Sequence, residues 1–476
     1  MSETALDDTF GTPLAALGEG ASAAFRAGNP PGAVAWIGRR RTLHSVFRSG
    51  PGGRLAAEGM CLDAALAEAG AGTPAYVYSS RAVVERFAAL QEALAGSRHL
   101  VAVALKANAL PALLTPLRDL GAGVEAVSAA ELLVADGLGF AGDRMVMSGV
   151  GKTTVDLETA LDLDVRFVSV ESRGELELLN RVALRRGRRA RALLRLNPEV
   201  DAATHPKIAT GTRAAKFGMA AADLLDLASA SRDWRGVEVL GVHAHVGSQI
   251  RDLGTLARSA ERLARVFGRL RAAGLPVRVV DVGGGLGIPQ RDGEEETPMS
   301  LYASRILGTL REVLDGECPE ADPTVVFEPG RALFGPAGAL VVRVLHTKRT
   351  GTREFCVVDG GMNDFLRPAL YGAWHRVAPV EPRPGPARSF DVVGGVCESG
   401  DAFARDRALP PPESGDLLAV LDAGAYGYSM ASNVNLRPRP AEVVIRDGAA
   451  ILARPAETPA DLAARELGAQ PAGVPA

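Results

Sequence analysis

The sequence predicts an α/β protein, a (β/α)8 barrel followed by an antiparallel β domain. Two patterns carry that expectation. Between Ala75 and Ala339 short apolar, β-branched runs alternate with stretches of helical spacing, and beyond Ala339 strand-like runs follow one another across turn signals. The first set comprises Val101–Leu105, Val124–Val127, Met145–Met147, Arg166–Val170, Ala192–Leu196, Val237–Val246, Val277–Val282 and Thr324–Phe327. These runs are mostly continuous rather than alternating, as in parallel strands covered on both faces. Helical spacing appears between them, for example at Ala129–Leu138, Arg173–Arg186 and Leu253–Ala273. Eight strand-helix units in one block suit a closed barrel better than a doubly wound sheet.

The second set is Leu340–Leu345, Glu354–Val358, Ser389–Val393, Leu417–Leu421 and Ala441–Ile445, punctuated by clusters such as Pro382-Arg-Pro-Gly-Pro. The expected order is an N-terminal extension at 1–45, a strand contribution to the β domain at 46–75, the barrel at 76–339, the β domain at 340–455 and a tail at 456–476. The extension is weakly patterned, with a breaker cluster from Gly28 to Ala33, and the tail carries one short helical stretch from Ala460 to Leu467.

Composition narrows the function classes. Of 476 residues, 47% are hydrophobic and 23% charged, which is ordinary globular usage. A net charge of −3 gives no field that would favour nucleic acid as a partner. No apolar run reaches the roughly 18 residues of a membrane span. The acidic start, MSETALDDTF, is unlike a secretory signal, and Cys61, Cys318, Cys356 and Cys397 are scattered without CxxC spacing. A cytoplasmic protein with no metal site is expected.

Two motifs mislead. Val150-Gly-Lys-Thr153 lacks the glycine a phosphate loop needs five positions before Gly151, where Val146 stands. Gly283-Gly-Gly285-Leu-Gly-Ile288 lacks the last glycine of a dinucleotide fingerprint. A triple glycine after a late barrel strand is better read as backbone bared toward a phosphate.

Chemistry gathers at strand ends. Lys106 follows the first barrel run, where partial desolvation would lower its pKa and make it an amine nucleophile toward an aldehyde. Glu328 follows the last, where a carboxylate facing a pyridine nitrogen keeps that nitrogen protonated. His243 and His245 flank the end of the sixth; His243 reads as a packed core residue and His245 as a ring able to stack on a flat ligand.

As a set, the motifs are specific. Ala104-Leu-Lys106-Ala-Asn108, Asn197 to His205, Lys216-Phe-Gly218, His245-Val-Gly-Ser248-Gln249, Gly283-Gly-Gly285 and Glu328-Pro-Gly-Arg331 occur in the order seen in pyridoxal-phosphate decarboxylases of the alanine-racemase-like barrel fold. Gly361-Met-Asn-Asp364, Arg367-Pro-Ala-Leu-Tyr371, Cys397-Glu-Ser-Gly-Asp401, Gly424-Ala-Tyr426-Gly427 and Asn433-x-Asn435 make the chain resemble the diaminopimelate decarboxylase family over roughly residues 46–450. The resemblance implies pyridoxal 5'-phosphate on Lys106 as a Schiff base, with His245 on the ring face and Glu328 at the ring nitrogen. It implies that Ser248, Gly283, Gly284, Gly285, Gly330 and Tyr426 bind the phosphate. Arg331, Arg367, Tyr371, Glu398 and Tyr426 would grip the far end of an amino-acid substrate. Cys397 would donate a proton from a neighbouring subunit, so a homodimer is implied. The implied reaction is decarboxylation of meso-2,6-diaminopimelate to L-lysine. Alternatives are another amino-acid decarboxylase, a racemase or an inactive binding relative.

The chain departs from the family pattern at Val434, where relatives carry Tyr, and at Glu125, where they commonly carry Asp.

Overall fold

The computed structural model describes residues 46–468 except 202–210, 212–214, 231–232 and 292. The expected extension at 1–45 and the final residues of the tail lie outside the described residues.

The described residues open with β1 (Arg48–Ser49), β2 (Leu55–Ala57) and β3 (Met60–Cys61), a small antiparallel sheet. Then β4 (Ala75–Ser79) enters the β domain. The barrel follows: β5 (His99–Ala104), β6 (Gly123–Ala126), β7 (Met145–Met147), β8 (Phe167–Val170), β9 (Ala190–Arg195), β10 (Val237–His243), β11 (Val279–Asp281) and β12 (Thr324–Phe327). All pair in parallel with their neighbours, and β12 closes on β5 through Val325↔His99 and Phe327↔Val101.

Burial on both faces explains the continuous apolar runs. Leu100, Ala102, Val146, Phe167, Leu193, Leu240, Val279 and Val326 meet inside the barrel, while Val101, Val103, Val124 and their equivalents pack outward against the helices. Several helices start where a side chain satisfies their free N–H groups. Ser172 accepts from Glu175 N ahead of helix Arg173–Arg185, and Asp252 accepts from Gly254 N and Thr255 N ahead of Leu253–Ala272. The false phosphate loop belongs here too. Thr153 forms a capping box with Asp156, and Lys152 is buried against Glu175 at 2.5 Å, so this segment starts a helix.

The β domain holds β13 (Gly338–Thr350), β14 (Arg353–Val358), β15 (Val377–Pro379), β16 (Arg388–Val393), β17 (Ala402–Leu409), β18 (Leu417–Val420), β19 (Ala441–Arg446) and β20 (Ala449–Arg454). Its main order is β17-β16-β14-β13-β4-β19-β20, with β18 on β13 and β15 on β18. The sheet is mostly antiparallel, but β14 and β16 run parallel, as do β4 and β19. The strand lent from before the barrel is Ala75–Ser79, across the expected boundary at 75/76, while residues 48–61 pair among themselves and join the β domain through Leu55 N donating to Val380 O at 2.7 Å. Within the expected tail, helix Pro459–Gly468 covers the helical stretch at Ala460–Leu467, is capped by Thr458 and docks Leu462, which is 2% exposed.

Between β13 and β19, β4 ties the end of the chain to the start of the barrel. Its Tyr78 hydroxyl donates to Glu442 Oε1 at 2.7 Å, and Arg454 pairs with Glu442 Oε2 at 2.6 Å, leaving a buried carboxylate that relies on both. Tyr78→Phe is expected to cost about 1–3 kcal/mol, because the carboxylate loses a donor it cannot replace. A lowered chemical-denaturation midpoint checks this, and an unchanged one contradicts it.

Candidate active site

The lysine and the acids at the C-terminal mouth of the barrel lie at the ends of strands or just past them. Lys106 lies two residues past β5, and its Nζ is 2.7 Å from both Oε1 and Oε2 of Glu125 on β6, the strand paired beside it. Glu125 is fully buried, while a third of the Lys106 side chain is exposed. Burial pulls the ammonium down, but the carboxylates of Glu125 and Glu328 outweigh it and hold the lysine above its ordinary pKa. The expectation of a lowered pKa is therefore corrected. The carboxylate touching the amine keeps it charged, and Glu125 is the nearest group to receive its proton.

Glu328, one residue past β12, shares a buried pocket with His243 and Asp281, which end β10 and β11. One polar atom from each lies within 4.8 Å of the other two. Ser148 Oγ donates to Glu328 Oε1 at 3.3 Å, and His243 Nε2 stands 3.7 Å from Oε2. Ser169 Oγ lies 2.5 Å from His243 Nδ1. Burial, then the negative charge of Glu125, pushes Glu328 up to about 7. Asp281 is raised well above the usual carboxylate range by burial and by Glu328. His243 is held far below its usual value by burial and nearby cations, so it is neutral. It is a core histidine, as expected, yet its Nε2 has no hydrogen-bond partner.

Three connections meet above this pocket. Gly283 and Gly285 have φ of +65° and +106°, and a Cβ on Gly284 would sit 2.2 Å from the Glu328 carbonyl oxygen. The triple glycine thus lets strand-end loops touch. It does not bare all its N–H groups, because Gly283 N donates to Asp281 Oδ1 and Gly284 N to His245 Nδ1. His245 is neutral, its pKa lowered by burial and by Lys106.

Across the mouth the charge reverses. Arg331 donates to Ser248 Oγ through Nε and Nη2, at 3.2 and 2.9 Å, which joins a residue expected at the phosphate to one expected at the substrate. Its guanidinium lies 5.0 Å from the Tyr426 ring centre, and that of Arg367 lies 5.2 and 5.8 Å from Tyr371 and Tyr426. Both arginines are buried, and among the described residues no ion pair joins either to a carboxylate. Burial, and then Arg331, pulls Arg367 down to about 9, and its Nε lacks a partner. Two desolvated cations side by side call for an anionic ligand. Tyr426, at φ +55°, donates its N–H to Ala107 O at 2.8 Å, and a Cβ on Gly330 would meet Ala107 and Tyr426, so this tyrosine closes the site onto the lysine loop.

Cys397 and Glu398 do not join them. They stand on an exposed turn, and within this chain no hydrogen bond, ion pair or ring contact links either side chain to Lys106, Arg331, Arg367 or Tyr426. Val434 is also on the surface, 45% exposed. The residues missed from sequence are Asp281 and Arg195, the latter buried in an ion pair with Glu171 at the end of β9. Each is a charge that ends its strand.

A barrel mouth built this way offers an amine to an aldehyde, a buried acid to a ring nitrogen and arginines to anions. The residues fit pyridoxal phosphate on this chemistry. Comparison with known proteins agrees. The family model described as pyridoxal-dependent decarboxylase, pyridoxal binding domain, matches residues 80–335. A curated diaminopimelate decarboxylase of Pseudomonas fluorescens is 44% identical over 416 residues, 87% of this chain and 97% of that protein. The crystal structure of the Helicobacter pylori diaminopimelate decarboxylase complexed with L-lysine is 37% identical, with a TM-score of 0.79 over 84% of this chain and 98% of that one. The M. jannaschii enzyme in complex with L-lysine gives 33% identity and a TM-score of 0.83 over 90% and 98%. The chain belongs to the diaminopimelate decarboxylase family of pyridoxal-dependent decarboxylases.

Glu328 offers a test of the pocket. Its pKa rises from 4.5 to about 7 on folding, so the folded chain binds that proton more tightly than the unfolded one. Stability from this group is present below about 4.5 and lost as pH climbs through about 7. In the cofactor-free protein Glu328→Gln should gain on wild type across that window, by no more than about 3 kcal/mol. Denaturation midpoints at several pH values check this, and a difference that stays flat contradicts it.

Proposed function

We propose that the protein decarboxylates meso-2,6-diaminopimelate to L-lysine and CO2, with pyridoxal phosphate as cofactor. The observation that carries the substrate is the buried Arg331–Arg367 pair beside Tyr371 and Tyr426. A substrate with a second carboxylate beyond the reacting one neutralises that pair, and guanidinium forks match carboxylates bidentately. Lysine, ornithine and arginine bring no such group.

Lys106 would anchor the cofactor through its amine, with both oxygens of Glu125 at 2.7 Å holding that amine in place. Glu328, with Ser148 and His243 against it, faces the ring nitrogen as a hydrogen-bonded acid. His245 presents a neutral ring face, since a charged one would repel the pyridinium. Bound pyridoxal phosphate supplies the electron sink that accepts the pair released with CO2. Ser248, Arg331, Gly330, Tyr426 and the glycines at 283–285 surround the phosphate position. Arg331, Arg367, Tyr371 and Tyr426 orient the far end of the substrate, with Glu398 added there.

Cys397 donates the final proton and works with Glu398 from the second subunit of a homodimer. Two features support this arrangement. Both residues are exposed in the single chain, and Val434 and Leu436, 45% and 55% exposed, stand on the segment that touches their turn. No helix of the described residues is long and apolar enough to cross a membrane. The cysteines are free, which fits a reducing cytoplasm.

Assaying CO2 release from diaminopimelate, lysine, ornithine, arginine and glutamate tests the substrate. Diaminopimelate alone should turn over well, and preference for any of the others would overturn the reading. Arg367→Ala should lose about 2–5 kcal/mol of transition-state binding, roughly 30-fold to several thousandfold in kcat/KM. An unchanged kcat/KM removes Arg367 from the substrate site.

A further inference from the structure

The Asn433-Val-Asn435 motif has no role in the site described above. Asn435 reaches the turn that carries Cys397, and its Oδ1 accepts the Cys397 backbone N–H at 2.9 Å. Because the group facing it is a donor, the amide oxygen is the atom in contact. Asn435 sits at φ +57°, ψ 27°, the left-handed region that asparagine visits more readily than most residues with a Cβ.

Other side chains hold the same turn. Asp401 accepts Val396 N at 2.7 Å with one oxygen and Met362 N at 2.6 Å with the other, which ties the turn to the segment that leads into Arg367. Arg437, two residues beyond Asn435, donates to Gly395 O and Asp359 O at 3.1 Å each. A Cβ on Gly394 would meet Asp401 Oδ2 and Gly361 Cα at 2.5 Å, so the packing is close. Gly395 O, Val396 N and Cys397 N are thus each fixed by a separate side chain. An exposed turn needs no such bracing for the sake of the core. It does if the thiol it carries must arrive at a set place.

We propose that Asn435 is a positioning residue for Cys397, fixing the backbone of the thiol's own residue so that the S–H is aimed at the carbon that has lost CO2. The step it serves is a proton transfer. The S–H bond breaks, a C–H bond forms, the electron pair stays on sulfur as thiolate, and water returns the proton. This inference rests on the reading of Cys397 as donor.

The test compares Asn435→Gly, Asn435→Asp and Cys397→Ala as holoenzymes turning over diaminopimelate. Glycine keeps the left-handed backbone and removes the acceptor, whereas aspartate keeps the acceptor. Asn435→Gly should lower kcat at least tenfold, leave KM within twofold and raise the solvent deuterium isotope effect on kcat. Asn435→Asp should retain at least a third of wild-type kcat. If Asn435→Gly matches wild type in kcat and isotope effect while Cys397→Ala is inactive, the positioning role is overturned and the donor reading stands. Wild-type turnover by Cys397→Ala overturns both. Should the glycine variant fold poorly, the aspartate variant decides alone: retained kcat supports the role, and a tenfold loss overturns it.

Discussion

An ammonium pinned between both oxygens of a fully buried carboxylate sets the terms for the barrel mouth. A carboxylate as buried as Glu125 costs several kcal/mol of desolvation unless a cation pairs with it. Lys106 neutralises it, and Arg195 does the same for Glu171 at the ends of β8 and β9. Glu328 and Asp281 are left side by side; burial raises both, and the charge of Glu125 adds to it at Glu328 as that of Glu328 does at Asp281. Charge balance at the mouth thus keeps a proton in this pair, where an acid is wanted against a ring nitrogen.

The opposite pole follows from the same short stretch of chain. Glu328 and Arg331 are three residues apart, yet one belongs to the acidic pocket and the other to the pair of buried guanidiniums. Pro329 and Gly330 make the reversal, and Gly330 is small because Ala107 and Tyr426 close over it. A ligand with a cationic ring at one end and anionic groups at the other fits this polarity. Neither pole is stabilising by itself; each is a desolvated charge that the fold tolerates for the sake of what binds.

Much of this was legible in the sequence. Met145–Met147 and Thr324–Phe327 fall where the apolar runs put them, because a strand buried on both faces has no polar alternation to blur its ends. Lys106 and Glu328 were legible for the same reason, as charges standing where such runs stop. β17 was not, since Arg405, Asp406 and Arg407 give it the look of a loop, and the sheet context of β16 makes it a strand. β15 and β20 are short or half exposed and carry too little pattern. The pKa of Lys106 was also out of reach, as it depends on the register that sets Glu125 beside Ala104. Asp281 was hidden inside a run scored only for its apolar residues. The Cys397 turn could be named by motif, but only the contacts show how it is held.

Reduction of the cofactor-loaded protein with borohydride, followed by peptide mass mapping, fixes the anchor. A phosphopyridoxyl group on the peptide containing Lys106, and on no other lysine, is the outcome this geometry requires. The same mass on a different lysine, or on none, would leave the Lys106–Glu125 pair a structural salt bridge and the mechanism without its first bond.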